Sequence, residues 1–430
     1  MSALPPLDIS SHAWQRAGRV LAWTGLVVAA VATLTPMHDP RGLASTTPLF
    51  CLVCGEAGGA DVVSNLLLFL PFALGLRLSG WSWGRCVAAA AAVSFTVEFL
   101  QFVVVPGRDA SLSDVLTNTA SGAIGAALGG VLPNLVDPAP TRAGRLVFSG
   151  LAGALALLAL SAWLLQPDLP RRRLTSHLAE GPAVGSFDGQ VHSVHLNGRE
   201  MPALRPAPDA RVLRRELAAG HVDLAVDAVS GHPPRAGSWL FLLRSLRGDA
   251  IEVSQMHRRA LLSVPARAIR FRLFPPLVTL SDAFPADSGV PVTIRAAEHQ
   301  RTVTLGVSYG GATRTTTFGI TPAYGWVMLV SLPFGVTPGW VTAIGLALLY
   351  LPVGYWTAAA ARPARTAVVV AGVIALTLGI LGPAFGLAPS PWSEWVAALT
   401  GAATGWALRR AAAYLQTRCA SPFASESSSS

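Results

Sequence analysis

Charge is what this chain has least of. Asp, Glu, Lys and Arg make up 13% of its 430 residues, where a typical soluble domain carries about 25%. Hydrophobic residues make up 52%, and together the two figures exclude an ordinary soluble domain. Catalytic signatures are missing as well. No histidine accompanies the intramembrane acids, no serine or cysteine pairs clearly with a base, and no phosphate-cradling glycine loop occurs. These absences weigh against an enzyme and imply neither a cofactor nor a metal. Four cysteines decide little. Cys86 and Cys419 read as free thiols on the cytoplasmic side. Cys51 and Cys54 form a C-x-x-C in the first outer loop, where an oxidising compartment permits a disulfide. Zinc would need two further ligands, and His38 is the other candidate in that loop.

What the chain does have is long apolar runs. Roughly 20 apolar residues cross the hydrocarbon core of a bilayer. Eight such stretches lie near 19–35, 62–79, 86–105, 113–132, 146–166, 338–360, 366–388 and 392–414. The net charge of +9 could point to nucleic acid, but its distribution points to membrane topology. Arg16 and Arg19, Arg77 and Arg85, Arg142 and Arg145, Arg362 and Arg365, and Arg409, Arg410 and Arg418 fall in alternate loops. That is the positive-inside pattern with both termini cytoplasmic. Arg171, Arg172 and Arg173 depart from it, but they lead into a long domain, where the rule weakens. The amino terminus reads as a retained first helix, with a signal peptide as the alternative.

Between about 170 and 335 no span occurs. Short alternating segments appear instead: Val222–Val229, Trp239–Leu246, Ile269–Leu273, Val290–Ala296 and Arg301–Tyr309, with Asp188-Gly189 and Gly310-Gly311 as turns. Short strands at this spacing predict an all-β sandwich. The topology puts it outside the cytoplasm. The expected architecture is a polytopic α-helical membrane protein of a bacterial inner membrane with an inserted extracytoplasmic sandwich. Its parts are helices one to five (1–170), the sandwich (171–335), helices six to eight (336–418) and a disordered tail (419–430). A faint repeat is visible too. Ser113-Asp114 opens span four with Gly125 further along, and Ser393-Glu394 opens span eight with Gly405 at the same interval.

Polar residues gather at the outer ends of spans two to four. Asp61 and Asn65, Glu98 and Gln101, and Asp114 and Asn118 are spaced to share helix faces, with Arg108 and Asp109 in the loop between. Ionisable groups in a membrane mark a function by default. Span four continues the face as Gly122, Gly125 and Gly129, small residues that admit a close neighbour. Pro71 is expected to kink span two.

The ordered set Asp61-x-x-x-Asn65-x-x-x-Phe69-x-Pro71, Glu98-x-x-Gln101 and Arg108-Asp109-x-x-x-x-Asp114-x-x-x-Asn118-x-x-x-Gly122-x-x-Gly125 resembles the VanZ-like family over about residues 20–135. That resemblance implies a small bacterial membrane protein, of a family with some members associated with resistance to the glycopeptide teicoplanin. It carries over no established reaction. The stretch from Val222 through Trp239 to Gln255 resembles a concanavalin-A-like or laminin-G-like sandwich, which implies glycan or protein binding without naming a ligand residue.

The expected function is recognition of the head group of an envelope lipid or lipid-linked glycan by an outer-face pocket, linked to envelope maintenance or glycopeptide resistance. Asp61, Asn65, Glu98, Gln101, Asp109, Asp114 and Asn118 would shape the pocket, and Arg108 would meet an anionic group. A fastening network at the helix ends, a membrane-embedded hydrolase or transferase, and a transporter are the alternatives.

Overall fold

The structure, a computed structural model, describes residues 10–36, 58–105, 110–169, 173–179, 187–234, 237–245, 248–329 and 338–420. It divides into a helical unit (1–156, 343–375 and 393–430) and a unit containing the sheets (157–342 and 376–392). The helices are α1 (Ser11–Leu34), α2 (Gly58–Leu68), α3 (Leu70–Leu78), α4 (Trp83–Val103), α5 (Leu112–Val136), α6 (Pro140–Leu165), α7 (Ala210–Ala218), α8 (Pro338–Ala359), α9 (Pro363–Ala384) and α10 (Trp392–Ala420). With α2 and α3 taken as one span, seven of the described helices are long and apolar enough to cross a membrane. The protein is therefore multi-pass. The eighth expected stretch, 392–414, is helical within α10 but is not among those seven. The tail residues 421–430 lie outside the described residues.

The helical unit is built inside out relative to a soluble bundle. Val20, Trp23, Val27, Phe95, Phe99, Phe102, Ile344 and Leu348 are exposed, as lipid-facing side chains are. The buried face of α1 consists of Gly18, Ala22, Gly25 and Ala29 alone. In lipid the hydrophobic effect does not drive helices together, so close backbone approach has to do it. A Cβ on Gly125 of α5 would stand 2.6 Å from the Leu70 carbonyl oxygen, and one on Gly18 of α1 2.7 Å from that of Gly75. The expected kink is a break at Phe69 between α2 and α3, just before Pro71. The Ser121 hydroxyl takes up a carbonyl there, donating to Leu66 O at 2.5 Å.

This packing recurs in the second half. Where Ser121 meets the Leu66 carbonyl and Gly125 that of Leu70, Gly401 lies against the Ala347 carbonyl and Gly405 against that of Leu351. Leu70 and Leu351 each precede a proline, Pro71 and Pro352. Gly25 of α1 rests on Phe72, and Gly150 of α6 on Val353, two residues beyond those same leucines. The repeat legible at Asp114 and Glu394 thus extends beyond one helix. The packing of α1 and α5 on α3 recurs in a second copy as that of α6 and α10 on α8, and the sheets are inserted between α6 and α8.

Twelve strands form two antiparallel sheets: β1 (Thr175–Leu178), β2 (Gln190–Leu196), β3 (Arg199–Glu200), β4 (Arg205–Pro206), β5 (Val222–Val229), β6 (Ser238–Ser245), β7 (Gly248–Met256), β8 (Arg259–Ser263), β9 (Leu277–Leu280), β10 (Pro291–His299), β11 (Thr302–Tyr309) and β12 (Ala312–Gly319). Their orders are β4-β1-β6-β7-β8-β9 and β12-β11-β10-β5-β2-β3. Alternation puts Val222, Leu224, Val226 and Ala228 of β5 inward beside Val292, Ile294 and Ala296 of β10, and both sheets contribute to one core. Gly310 and Gly311, both at positive φ, close the β11–β12 hairpin. One short helix, α7, and two 3-10 helices, Arg267–Phe271 and Pro322–Leu329, lie among the strands of this two-sheet region. The expected strand at Ile269–Leu273 is overturned by the first of these. In a 3-10 turn residues three apart lie on one side, and Arg267 and Arg270 use that spacing to share Asp168.

One inward position of β10 is a carboxylate. Glu298 is buried and ion-paired with the fully buried Arg301, which also donates to Leu165 O at the end of α6 (2.7 Å). Burial pushes the Glu298 carboxyl up, and Arg301 pulls it part of the way back. Gln300 and Arg301 both sit at positive φ in the hairpin turn, a conformation that disfavours residues with a side chain.

Two pairs of substitutions test this packing. Gly125→Val is expected to destabilise by about 1–3 kcal/mol through overpacking, while Gly153→Ala, with open space around it, is expected to be neutral. Arg301→Met, which strands the Glu298 carboxylate, is expected to cost about 3–5 kcal/mol, and adding Glu298→Leu is expected to recover most of that. Denaturation of the full-length protein in detergent reads both.

Candidate functional site

The end of α1, the start of α2, the end of α4 and the start of α5 meet through side-chain hydrogen bonds. Asn65 of α2 donates to the Asp114 carboxylate of α5 at 2.8 Å. Glu98 of α4 accepts from the Ser111 backbone amide, the N-cap of α5, at 2.6 Å. An acid there satisfies an orphan N–H and complements the positive end of the helix dipole. Gln101, one turn beyond Glu98, donates to the Thr33 carbonyl in the last turn of α1 at 2.8 Å. Asn118 donates to Ser94 at 3.0 Å, and Ser94 reaches the Asp114 carbonyl at 3.4 Å.

Five of the eight candidate residues are therefore brought together: Asn65, Glu98, Gln101, Asp114 and Asn118. Asp61 is exposed in the first turn of α2, one turn before Asn65. Arg108 and Asp109 lie outside the described residues, as do Cys51, Cys54 and His38. Cys86 is a buried free thiol. Sequence reasoning missed Ser94 and Ser121. Both carried a signal, since Ser94 stands four residues before Glu98 and Ser121 three after Asn118, on the same faces.

The cluster is rich in acceptors. Glu98, Gln101 and Asn118 are buried, at 7%, 6% and 2% exposure, so their unused atoms have no water to turn to. Among the described residues, Gln101 Oε1 and Asn118 Oδ1 accept no hydrogen bond. A buried acceptor left alone costs about 1–3 kcal/mol. The two carboxylates are engaged at helix ends, which suits holding and orienting better than proton transfer. Among the described residues no three His, Cys, Asp or Glu side chains converge as a metal centre would require.

A second recess lies in the unit containing the sheets. The β10–β11 hairpin tip (Ala297, His299, Gln300, Thr302 and Thr304) and the segment after α9 (Pro383, Gly386, Leu387 and Pro389) enclose about 570 Å³. Its lining offers hydroxyl, amide and imidazole groups over an apolar floor, without a charged pair.

No curated protein and no solved structure matches the chain. Residues 10–132 match the family model described as VanZ/LLP1, a segment that runs from the start of α1 into the last turns of α5 and contains all eight candidate positions. Over those helices the chain carries a membrane domain similar to the VanZ/LLP1 family, a VanZ-like domain.

Proposed function

We propose that the cluster at the ends of α1, α2, α4 and α5 binds the polar head group of an envelope lipid or lipid-linked glycan at the outer face of a bacterial inner membrane. The observation that carries this reading is the pair of buried amide oxygens, Gln101 Oε1 and Asn118 Oδ1, without a donor among the described residues. A hydroxyl or ammonium on a head group supplies that donor, with the carboxyl oxygens of Glu98 and Asp114 as neighbouring acceptors. Arg108, by its place in the sequence between α4 and α5, meets the anionic part of the same ligand.

The inserted sandwich is read as a concanavalin-A-like or laminin-G-like module, extracytoplasmic, that adds contacts to a glycan or partner protein. The chain then has eight spans with both termini cytoplasmic. Holding a precursor's head group is the step through which the protein acts in envelope maintenance or glycopeptide resistance.

Thermal unfolding of the purified full-length protein in detergent, titrated with envelope lipids and lipid-linked precursors, tests this. A ligand at 100 times its dissociation constant stabilises by about 2.7 kcal/mol. We expect such a shift in the wild type and its loss in Asn118→Leu and Arg108→Ala. If no lipid shifts the wild type and Asn118→Leu is simply less stable, the cluster only fastens helices.

A further inference from the structure

The chain has 32 cationic residues and none is lysine. Three of these arginines cluster where a membrane span ends against the sheets. The span is α6, apolar enough to cross a bilayer and ending at Leu165. Trp163 sits in its last turn and is 39% exposed, the position and residue type that mark a lipid–water boundary. The 3-10 helix Arg267–Phe271 is docked on that turn. The Arg267 guanidinium carbon stands 4.5 Å over the Trp163 ring. Its Nη1 donates to the Trp163 carbonyl at 3.1 Å and to Gln166 at 2.9 Å, and its backbone amide donates to Gln166 O at 2.9 Å. The contacts join a cation, a ring face and the negative end of a helix dipole, so the 3-10 helix is held at the height of the span's end.

At that height Phe271 has no reason to be exposed to water, yet it is 50% exposed, with its ring 5.7 Å from that of Trp163. Beside it stand Arg270 and Arg272, both exposed. Asp168 answers Arg267 at 3.5 Å and Arg270 at 2.6 Å. Arg267 and Arg270 share this one carboxylate, so that trio carries a net positive charge.

We propose that this 3-10 helix is a membrane foot. Phe271 continues the lipid-facing surface of α6 into the boundary between head groups and acyl chains, and Arg270 and Arg272 face the phosphates of anionic lipids. The occupant is the bilayer itself. Phe271 is continuous with the exposed apolar surface of α6, and the charge beside it is of the sign that lipid phosphates attract. Guanidiniums suit the task because their planar fork meets phosphate oxygens in pairs. The foot fixes the sheet-containing unit to the surface from which α6 emerges and does not depend on the ligand proposed for the helical cluster.

The test places the photo-crosslinking residue benzoylphenylalanine at position 271 of the full-length protein. The protein is reconstituted in nanodiscs of phosphatidylcholine alone or mixed equally with phosphatidylglycerol. Position 148, where Phe148 is exposed along α6, serves as the lipid-facing reference, and position 212, exposed on α7, as the water-facing one. We expect lipid adducts at 271 as at 148 and none at 212. The yield at 271 should rise with phosphatidylglycerol, and the rise should vanish in Arg270→Gln/Arg272→Gln, with up to about a fivefold change per arginine. Adducts at 148 without any at 271 overturn the proposal. Adducts at 271 that ignore lipid charge overturn the role given to the arginines.

Discussion

The helical unit depends on how closely its backbones approach. Lipid tails are as apolar as leucine, so nothing squeezes these helices together as water squeezes a soluble core. What holds them is contact between backbone and backbone at glycine, alanine and serine. Gly18 and Gly25 seat α1 on α3, Gly125 seats α5 on α3, and Gly122 seats α5 against Ala90 of α4. The polar cluster inherits its geometry from that seating. Asn65 can reach Asp114, and Ser121 the Leu66 carbonyl, because the glycine seam brings α2 and α5 within side-chain range. A bulky residue in the seam would cost packing energy and open the hydrogen bonds above it.

The same bonds explain why the cluster has acceptors to spare. Helix ends expose orphan groups, amides at the start and carbonyls at the finish. Gln101 spends its amide donor on the last turn of α1, and Asn118 spends its own on Ser94. A side-chain amide used as a donor keeps an oxygen in reserve. Glu98 and Asp114 accept and cannot donate while ionised. The result is a buried surface with two acceptors that no described residue donates to.

Much of this was legible in the sequence. Apolar length identifies the spans, alternation locates most strands, and helical spacing pairs Asn65 with the face of Asp61 and Glu98 with Gln101. The failures share one cause, which is that pattern is local and the deciding partner is distant. Ile269–Leu273 alternates like a strand, but Asp168 and Trp163, about a hundred positions away in the chain, hold it as a 3-10 helix. Glu298 looks like a polar position on β10, although alternation points it inward, where only the buried Arg301 makes it tolerable. Ser94 and Ser121 look like small residues in a packing face until the carbonyl and amide they serve are seen. At the far end of α5, the Leu135 and Val136 carbonyls and the Asp137 carboxylate receive Trp356, Tyr355 and Arg409, a cap drawn from α8 and α10 that no spacing announces.

The repeat supplies an internal comparison for the polar cluster. In the second copy Ala398 stands where the first has Asn118, and it is fully buried. Gly401 stands where the first has Ser121, against the equivalent carbonyl. Those helices nonetheless take the same seating, with Gly405 on Leu351 as Gly125 is on Leu70. An architecture that forms with alanine and glycine at these positions does not need an asparagine and a serine there to fold. Burying Asn118 with an oxygen that no described residue donates to carries a cost that Ala398 avoids. The first copy bears it within the segment that matches the VanZ/LLP1 family, and the second does not. Fastening alone does not account for that asymmetry, whereas a group that Asn118 meets and Ala398 does not would.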